Sequence, residues 1–294
     1  MAIELNGITK QFKTVTALEN VTCTLADNKI YGLLGRNGAG KTTLLSLITN
    51  RQFASAGTIL VDGENAVEND HAQGKIYCMG EQTYFPNEIK VRELFRWTKE
   101  FYPAFDTDYA NALTKKFALD TKSQFKTLST GYASICKLIV TMATGAPYLL
   151  FDEPVLGLDA NHRELFYREL LTLYSEKPCT VVISTHLIEE VADVIEQVVM
   201  LKSGKLLMDR PVEEVMKLGY TVSGRASEVE QFCKGRTVLS VDALGGLKTA
   251  CLYTPDGNRP SIPAELDVGA LDLQKLFIQL TNASGDERKD GMQQ

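Results

Sequence analysis

An α/β fold with a mostly parallel core sheet follows from three stretches of the sequence. "KIYGLLGRNGAGKTTLLSLITN", from Lys29, carries an apolar strand through glycines into a segment with Leu44, Leu45, Leu47 and Ile48 at helical spacing. "PYLLFDEP" and "TVVISTH" are two further short apolar strands. Between them the amphipathic "NHRELFYRELLTLY" puts Phe166, Leu170, Leu173 and Tyr174 on one face. Strand, helix and strand of these lengths make a βαβ unit, which requires parallel pairing.

The remaining elements fall into place along the chain. "AIELNGITKQF", "LENVTCTL" and "GTILVDG" read as strands of an antiparallel layer beside the glycine-rich junction. From about 88 to 145 the pattern turns helical, with "VRELFRWTKEFY", "DYANALTKKFAL" and "YASICKLIVTMA" as the helices of an inserted subdomain. "QVVMLKSGKLLMD" is a hairpin turning at Ser203-Gly204, and a helix is expected to begin at Pro211 and stop at Gly219. We therefore expect one large domain over 1–219. A small α+β appendage follows over 220–283, in which Leu273, Leu276, Phe277 and Leu280 share a helix face. The polar 284–294 is expected to be a disordered tail.

Composition narrows the function classes. The 294 residues suffice for a sizeable core, and 31 basic against 37 acidic residues, net −6, give no electrostatic case for nucleic acid as a partner. No apolar run approaches the roughly 18 residues of a spanning helix, and "MAIELNGITKQF" lacks a signal peptide's apolar region, so the chain reads as cytosolic. The six cysteines are scattered without a C-x-x-C pair and are expected to be reduced, mostly buried thiols.

The glycines carry the chemistry. A helix N-terminus presents unpaired N–H groups and a positive dipole end, and glycines let the backbone approach an anion closely. Gly35-x-x-x-x-Gly40-Lys41-Thr42 has the spacing of a phosphate-binding loop, made here of Gly35, Arg36, Asn37, Gly38, Ala39, Gly40, Lys41, Thr42 and Thr43. Lys41 would reach the β and γ phosphates and Thr42 would hold Mg²⁺. The dinucleotide fingerprint G-x-G-x-x-G is not met by Gly35, Gly38 and Gly40. Downstream, "YLLFDEPVLGLDA" delivers Asp152 and Glu153 to the C-terminal end of a strand, where parallel sheets place ligand sites. Asp152 would complete the Mg²⁺ shell and Glu153 would orient or activate the water that attacks the γ-phosphate.

Four further pieces, "LSTGY" at Leu128–Tyr132, "GLDA" at Gly157–Ala160, "STH" ending in His186, and Phe12, join these in an order that resembles the ATP-binding subunit of an ABC transporter. The resemblance spans Met1 to about Gly219. It implies the ABC ATPase form of the P-loop NTPase fold, with an antiparallel β layer, a mostly parallel core sheet and a helical subdomain, and it implies ATP and Mg²⁺ as cofactors. On it, Phe12 would stack on adenine and His186 would contact the γ-phosphate and position the attacking water. The metal-sensing glutamine would fall at Glu81, with Gln82 beside it as the alternative. Two such modules, identical or different chains, are implied to bind head to tail. Leu128, Ser129, Thr130, Gly131 and Tyr132 of one would then cover the ATP of the other, with Asp159 at the contact. The usual L-S-G-G-Q pattern with a basic residue three positions later is altered to Thr130, Tyr132 and Ile135. The resemblance also implies a separate transmembrane permease that holds the chain at the cytoplasmic face of the membrane, with an anchor groove among Tyr84, Phe85, Phe95, Trp97, Phe101, Tyr102 and Phe105. The altered signature, the acid at the glutamine position and the C-terminal extension resemble Gram-positive exporter ATPases of the drug- or peptide-resistance type. ATP hydrolysis would then drive export.

Overall fold

The computed structural model describes residues 1–80, 82, 85–86 and 88–282. Their contacts divide into two compact units, Met1–Leu187 with Val194–Asp209, and Ile188–Asp193 with the chain from Arg210 onward.

The first unit begins with β1 (Ala2–Phe12) and β2 (Val15–Ala26), a long antiparallel pair whose alternating Ile3, Leu5, Leu18, Val21 and Leu25 are buried. The chain continues through β3 (Ile30–Leu34), α1 (Lys41–Ile48), β4 (Ala56–Val61), β5 (Glu64–Asn65), α2 (Asp70–Gln73) and β6 (Ile76–Met79). Three helices form the insertion: α3 (Val91–Phe101), α4 (Thr107–Lys116) and α5 (Thr130–Ala143). Then come β7 (Tyr148–Asp152), α6 (Ala160–Glu176), β8 (Thr180–Thr185), β9 (Gln197–Lys202) and β10 (Lys205–Pro211); the short α7 (Ile188–Val191) between β8 and β9 belongs to the second unit. The antiparallel layer has the order β2-β1-β4-β5. The core sheet has the order β10-β9-β3-β8-β7-β6, and β3 pairs parallel with both β8 and β9, as β7 does with β6 and β8. Every residue of β3, β7 and β8 is buried, which explains their unbroken apolar runs: strands covered on both faces show no alternation. The β9–β10 turn places Ser203 at φ 49° and Gly204 at φ 80°, the left-handed pair that matches hairpin twist.

Among the aromatics of the helical insertion, Phe95 and Phe105 are core, their rings 5.9 Å apart, whereas Trp97 and Phe101 are 46% and 79% exposed. Tyr102 is committed to the fold through its hydroxyl, which donates to the Ile76 carbonyl at 2.8 Å. Tyr84 lies outside the described residues.

A half-buried polar anchor ties the antiparallel layer to the core sheet. Asp62, in the turn after β4, accepts from the Tyr148 hydroxyl at 2.5 Å, from the Ala2 N–H at 3.1 Å and from Lys75 Nζ at 3.0 Å. Burial pushes the Asp62 pKa up, but the hydrogen bonds from Tyr148, Lys75 and Ala2 outweigh it and hold the carboxyl below its usual value. A depressed folded-state pKa stabilises the fold above the unfolded value of about 4, and that stability is lost as pH falls from there through the folded pKa. Tyr148→Phe is expected to cost about 1–2 kcal/mol in urea unfolding at pH 7 and to flatten the acid-side loss of stability; an unchanged profile would remove Asp62 as its source.

The second unit contains α7, α8 (Val212–Lys217), β11 (Gly219–Arg225), α9 (Ala226–Cys233), β12 (Thr237–Leu244), β13 (Leu247–Tyr253), β14 (Asp267–Ala270) and α10 (Leu273–Asn282). Its antiparallel sheet, β12-β13-β11-β14, packs Tyr220, Val222, Ala250 and Leu252 against Val229 and Phe232 of α9. Two sequence expectations shift here. The helix expected from Pro211 to Gly219 runs only from Val212 to Lys217, with Pro211 as its N-cap, and Gly219 opens β11 instead of ending the helix. That position needs glycine for space, since a Cβ would come within 2.9 Å of Leu271 and 3.0 Å of Leu276. In addition α8 groups with the second unit, not the first, because it packs on α10 and β11. On α10 the buried positions are Leu273, Leu276, Phe277 and Thr281; Leu280 is only partly covered. All six cysteines are free, and burial pushes the Cys23 and Cys136 thiols up to about 12, so they are inert at neutral pH.

Candidate nucleotide site

The loop between β3 and α1 is built from glycine by necessity at two places. Gly40 sits at φ 106°, and a Cβ there would meet Leu18 at 2.6 Å and the Ala17 carbonyl at 2.8 Å. Gly35 is hemmed in by the Leu201 carbonyl and Ala39, each 2.9 Å from where a Cβ would lie. Gly40 is also the N-cap of α1 and offers no side-chain acceptor, so the first N–H groups of the helix stay available to an anion. A cavity of about 570 Å³ opens over residues 36–43 and is completed by Ala17, Glu153, Leu156 and His186.

The start of α1 and the ends of β7 and β8 supply the charged groups. Lys41 is 6% exposed, donates from Nζ to the Gly35 carbonyl at 2.7 Å and lies 3.7 Å from Glu153 Oε1. Glu153, one residue past β7, has φ 49°, a conformation few non-glycine residues adopt, and its N–H donates to the Ser184 carbonyl at 2.8 Å. Its carboxylate accepts from Thr185 Oγ1 at 3.2 Å and lies 3.0 Å from His186 Nδ1. Asp152 is 5% exposed and accepts from the Ser184 hydroxyl at 2.7 Å. The fold therefore brings the phosphate loop, Glu153 and His186 to one cavity, with Asp152 buried at the end of the strand that delivers Glu153. Thr42 and Asp152 offer a hydroxyl and a carboxylate, hard oxygen donors of the type Mg²⁺ takes when phosphates and waters fill its remaining positions.

The other sequence candidates lie apart from that cavity. Phe12 ends β1 with 42% of its surface exposed and Lys10 Nζ 4.8 Å from its ring centre; it does not line the cavity. Ser129 caps α5, accepting from the Tyr132 N–H at 3.3 Å, and Thr130 and Gly131 open that helix. A Cβ on Gly131 would meet the Gly157 carbonyl at 3.0 Å, so the signature segment and the "GLDA" turn pack closely. Asp159 caps α6 through the His162 N–H at 2.9 Å, and its other oxygen lies 2.9 Å from His162 Nδ1. The His162 ring in turn lies edge-on to Tyr132, 6.1 Å away. Ile135, where a basic residue is usual, is 1% exposed and belongs to the core. Leu128 ends the short 3₁₀ turn Phe125–Thr127. Glu81 lies outside the described residues; Gln82 is exposed near the end of β6.

Sequence reasoning did not single out Thr185, Ser184, Ala17 or Leu156. Thr185 and Ser184 stand immediately before His186 in "STH", so hydroxyls beside the two acids were the available signal.

Residues 18–156 match the family described as ABC transporter. Over this segment the chain carries an ABC transporter domain. It is 28% identical to the ABC transporter ATP-binding protein YtrB of Bacillus subtilis, over 94% of this chain and 97% of that protein. It is 29% identical to the Ribose import ATP-binding protein RbsA of Chromobacterium violaceum, over 72% of this chain but only 44% of that longer protein. A dimeric bacterial ABC transporter cassette superposes with a TM-score of 0.64 at 22% identity, over 71% of this chain and 98% of the cassette. Through this domain the chain binds and hydrolyses ATP, and the superposed cassette is itself dimeric. Among the described residues no helix is long and apolar enough to cross a membrane.

Proposed function

We propose that this ABC subunit is the ATP-driven switch of an exporter for drugs, peptides or similar compounds, bound through a separate permease to the cytoplasmic face of the membrane. The observation that carries the switch is the separation of two half-sites. The loop, Glu153 and His186 line the cavity, while Ser129–Tyr132 lie elsewhere on the module. A second module placed head to tail would bring its Ser129, its Gly131 backbone and its α5 N-terminus over the γ-phosphate. ATP would then join two modules, and hydrolysis would release them.

Within one site the geometry supports a division of labour. Lys41 and the loop N–H groups hold the phosphates. Glu153 accepts the proton of the attacking water, and His186, fixed through Nδ1 by Glu153, orients that water against the γ-phosphate. Thr42 and Asp152 would hold Mg²⁺, which neutralises the phosphate oxygens. Phe12 would stack on adenine with the ring face that Lys10 leaves open.

Trp97 and Phe101 on α3 suit a permease anchor, because they are large, apolar and exposed. The export direction is supported by the altered signature and the C-terminal extension; the import name of the ribose relative favours the opposite direction. Cells expressing the subunit with an exporter-type permease should lose labelled substrate in an ATP-dependent way. Accumulation of substrate instead would reverse the direction.

A further inference from the structure

We infer that Lys10 is a positioning residue for the base of the nucleotide: its ammonium group backs the Phe12 ring and strengthens the stacking of a base on the opposite face. The inference rests on the reading given above that Phe12 stacks on adenine.

Lys10 and Phe12 are two residues apart on β1, so their side chains leave the same face of the strand. Lys10 Nζ lies 4.8 Å from the Phe12 ring centre, within the ~6 Å over which the negative face of a ring attracts a cation. A lysine near the end of a strand is ordinarily mobile. This one is tethered, because Nζ donates to the Phe53 carbonyl at 2.7 Å. The Phe53 segment is itself tied to β1 on both sides of Lys10: the Ser55 N–H donates to the Thr9 carbonyl at 2.8 Å, and the Gln11 N–H donates to Ser55 Oγ at 3.0 Å. The charge therefore has a fixed place behind the ring.

The hairpin that carries the pair is seated on the phosphate loop. β1 and β2 slip in register between the pairs Lys10–Leu18 and Gln11–Thr16, which leaves Ala17 as an extra residue on β2. Ala17 lines the nucleotide cavity, and its carbonyl and Leu18 fill the space that a Cβ on Gly40 would need. Phe12 pairs with Val15, two residues from Ala17, so its ring stands beside the cavity and outside the part that residues 36–43 line. With 42% of its surface exposed and one face taken by Lys10, the ring keeps one face for a base. A cation behind a ring draws electron density from the free face, where the negative face of a purine then meets less repulsion. Loss of the cation weakens stacking and leaves the grip on the phosphates, set by Lys41 and the loop N–H groups, as it was.

The test uses the full chain. Lys10→Leu removes the charge, Lys10→Arg keeps a cation that can lie over the ring, and Phe12→Leu removes the ring. Equilibrium titrations measure the Kd of ATP and of inorganic tripolyphosphate, which has phosphates and no base. Lys10→Leu should raise the ATP Kd about two- to fivefold, the range of an exposed cation–π contact, with the tripolyphosphate Kd and the kcat at saturating ATP unchanged. Lys10→Arg should keep the wild-type values. In a chain already carrying Phe12→Leu, Lys10→Leu should have no further effect. A wild-type ATP Kd in Lys10→Leu, beside weakened binding in Phe12→Leu, would overturn the inference and leave the stacking reading standing. So would an equal loss for ATP and tripolyphosphate, which would make Lys10 a general attractor of anions, or the same loss with and without the Phe12 ring. Wild-type ATP binding in Phe12→Leu would reject the stacking reading itself, and the role of Lys10 with it.

Discussion

Glu153→Gln should bind ATP as well as the wild type, lose at least about a hundredfold in turnover, and accumulate as an ATP-bound dimer. The substitution leaves the size of the side chain and one acceptor oxygen, so the contacts from Thr185 and His186 need only small adjustment. It removes the group able to take a proton from water, and a positioned general base contributes about 10²–10⁴ in rate. It also removes a negative charge from the cavity proposed to receive the phosphates and frees Lys41 from a carboxylate 3.7 Å from its Nζ. Binding should therefore hold steady or tighten. Single-turnover hydrolysis and gel filtration with ATP check the two halves of the expectation. Undiminished hydrolysis would refute the role of Glu153, and a monomer at saturating ATP would refute the shared site.

Lys41→Ala should weaken ATP binding by about ten- to hundredfold, the 1.5–3 kcal/mol of a hydrogen bond to a charged group. The Lys41 stem is buried, and Nζ is aimed by the Gly35 carbonyl at 2.7 Å, so its position is set before any ligand arrives. Such preorganisation makes a single cation count for more than a mobile surface lysine. The loop glycines and the α1 N–H groups remain in the variant, so residual weak binding is expected. Equilibrium titration with ATP measures it, and an unchanged Kd would remove Lys41 from the site. Taken with Glu153→Gln, the pair separates holding ATP from cleaving it.

What the sequence revealed was what local constraint dictates. Gly35 and Gly40 are glycine because of crowding and φ at their own positions, and the loop spacing exposes that without any tertiary knowledge. Asp152 and Glu153 were legible because an apolar strand leads straight into them. Choices made by packing stayed hidden. Phe95 and Trp97 are both aromatics of α3, yet only the arrangement of neighbouring elements makes one core and the other exposed. Gly219 carries the letter of a helix stop but serves as a space-saving start of β11 under Leu271 and Leu276. Thr185 joins Glu153 to the turn after His186 through a hydroxyl whose use depends on two strand ends meeting. The bond from Gln274 to Glu189 links positions 85 residues apart, and no periodicity reports such a pair.

The most direct measurement is ATP turnover by the purified chain as a function of its own concentration, with Glu153→Gln as the background. A rate per chain that rises with concentration and saturates is the predicted result, since each site would need Ser129 and Gly131 of a second copy. A rate per chain that is already maximal at the lowest concentration, with no dimer formed, would contradict the shared site.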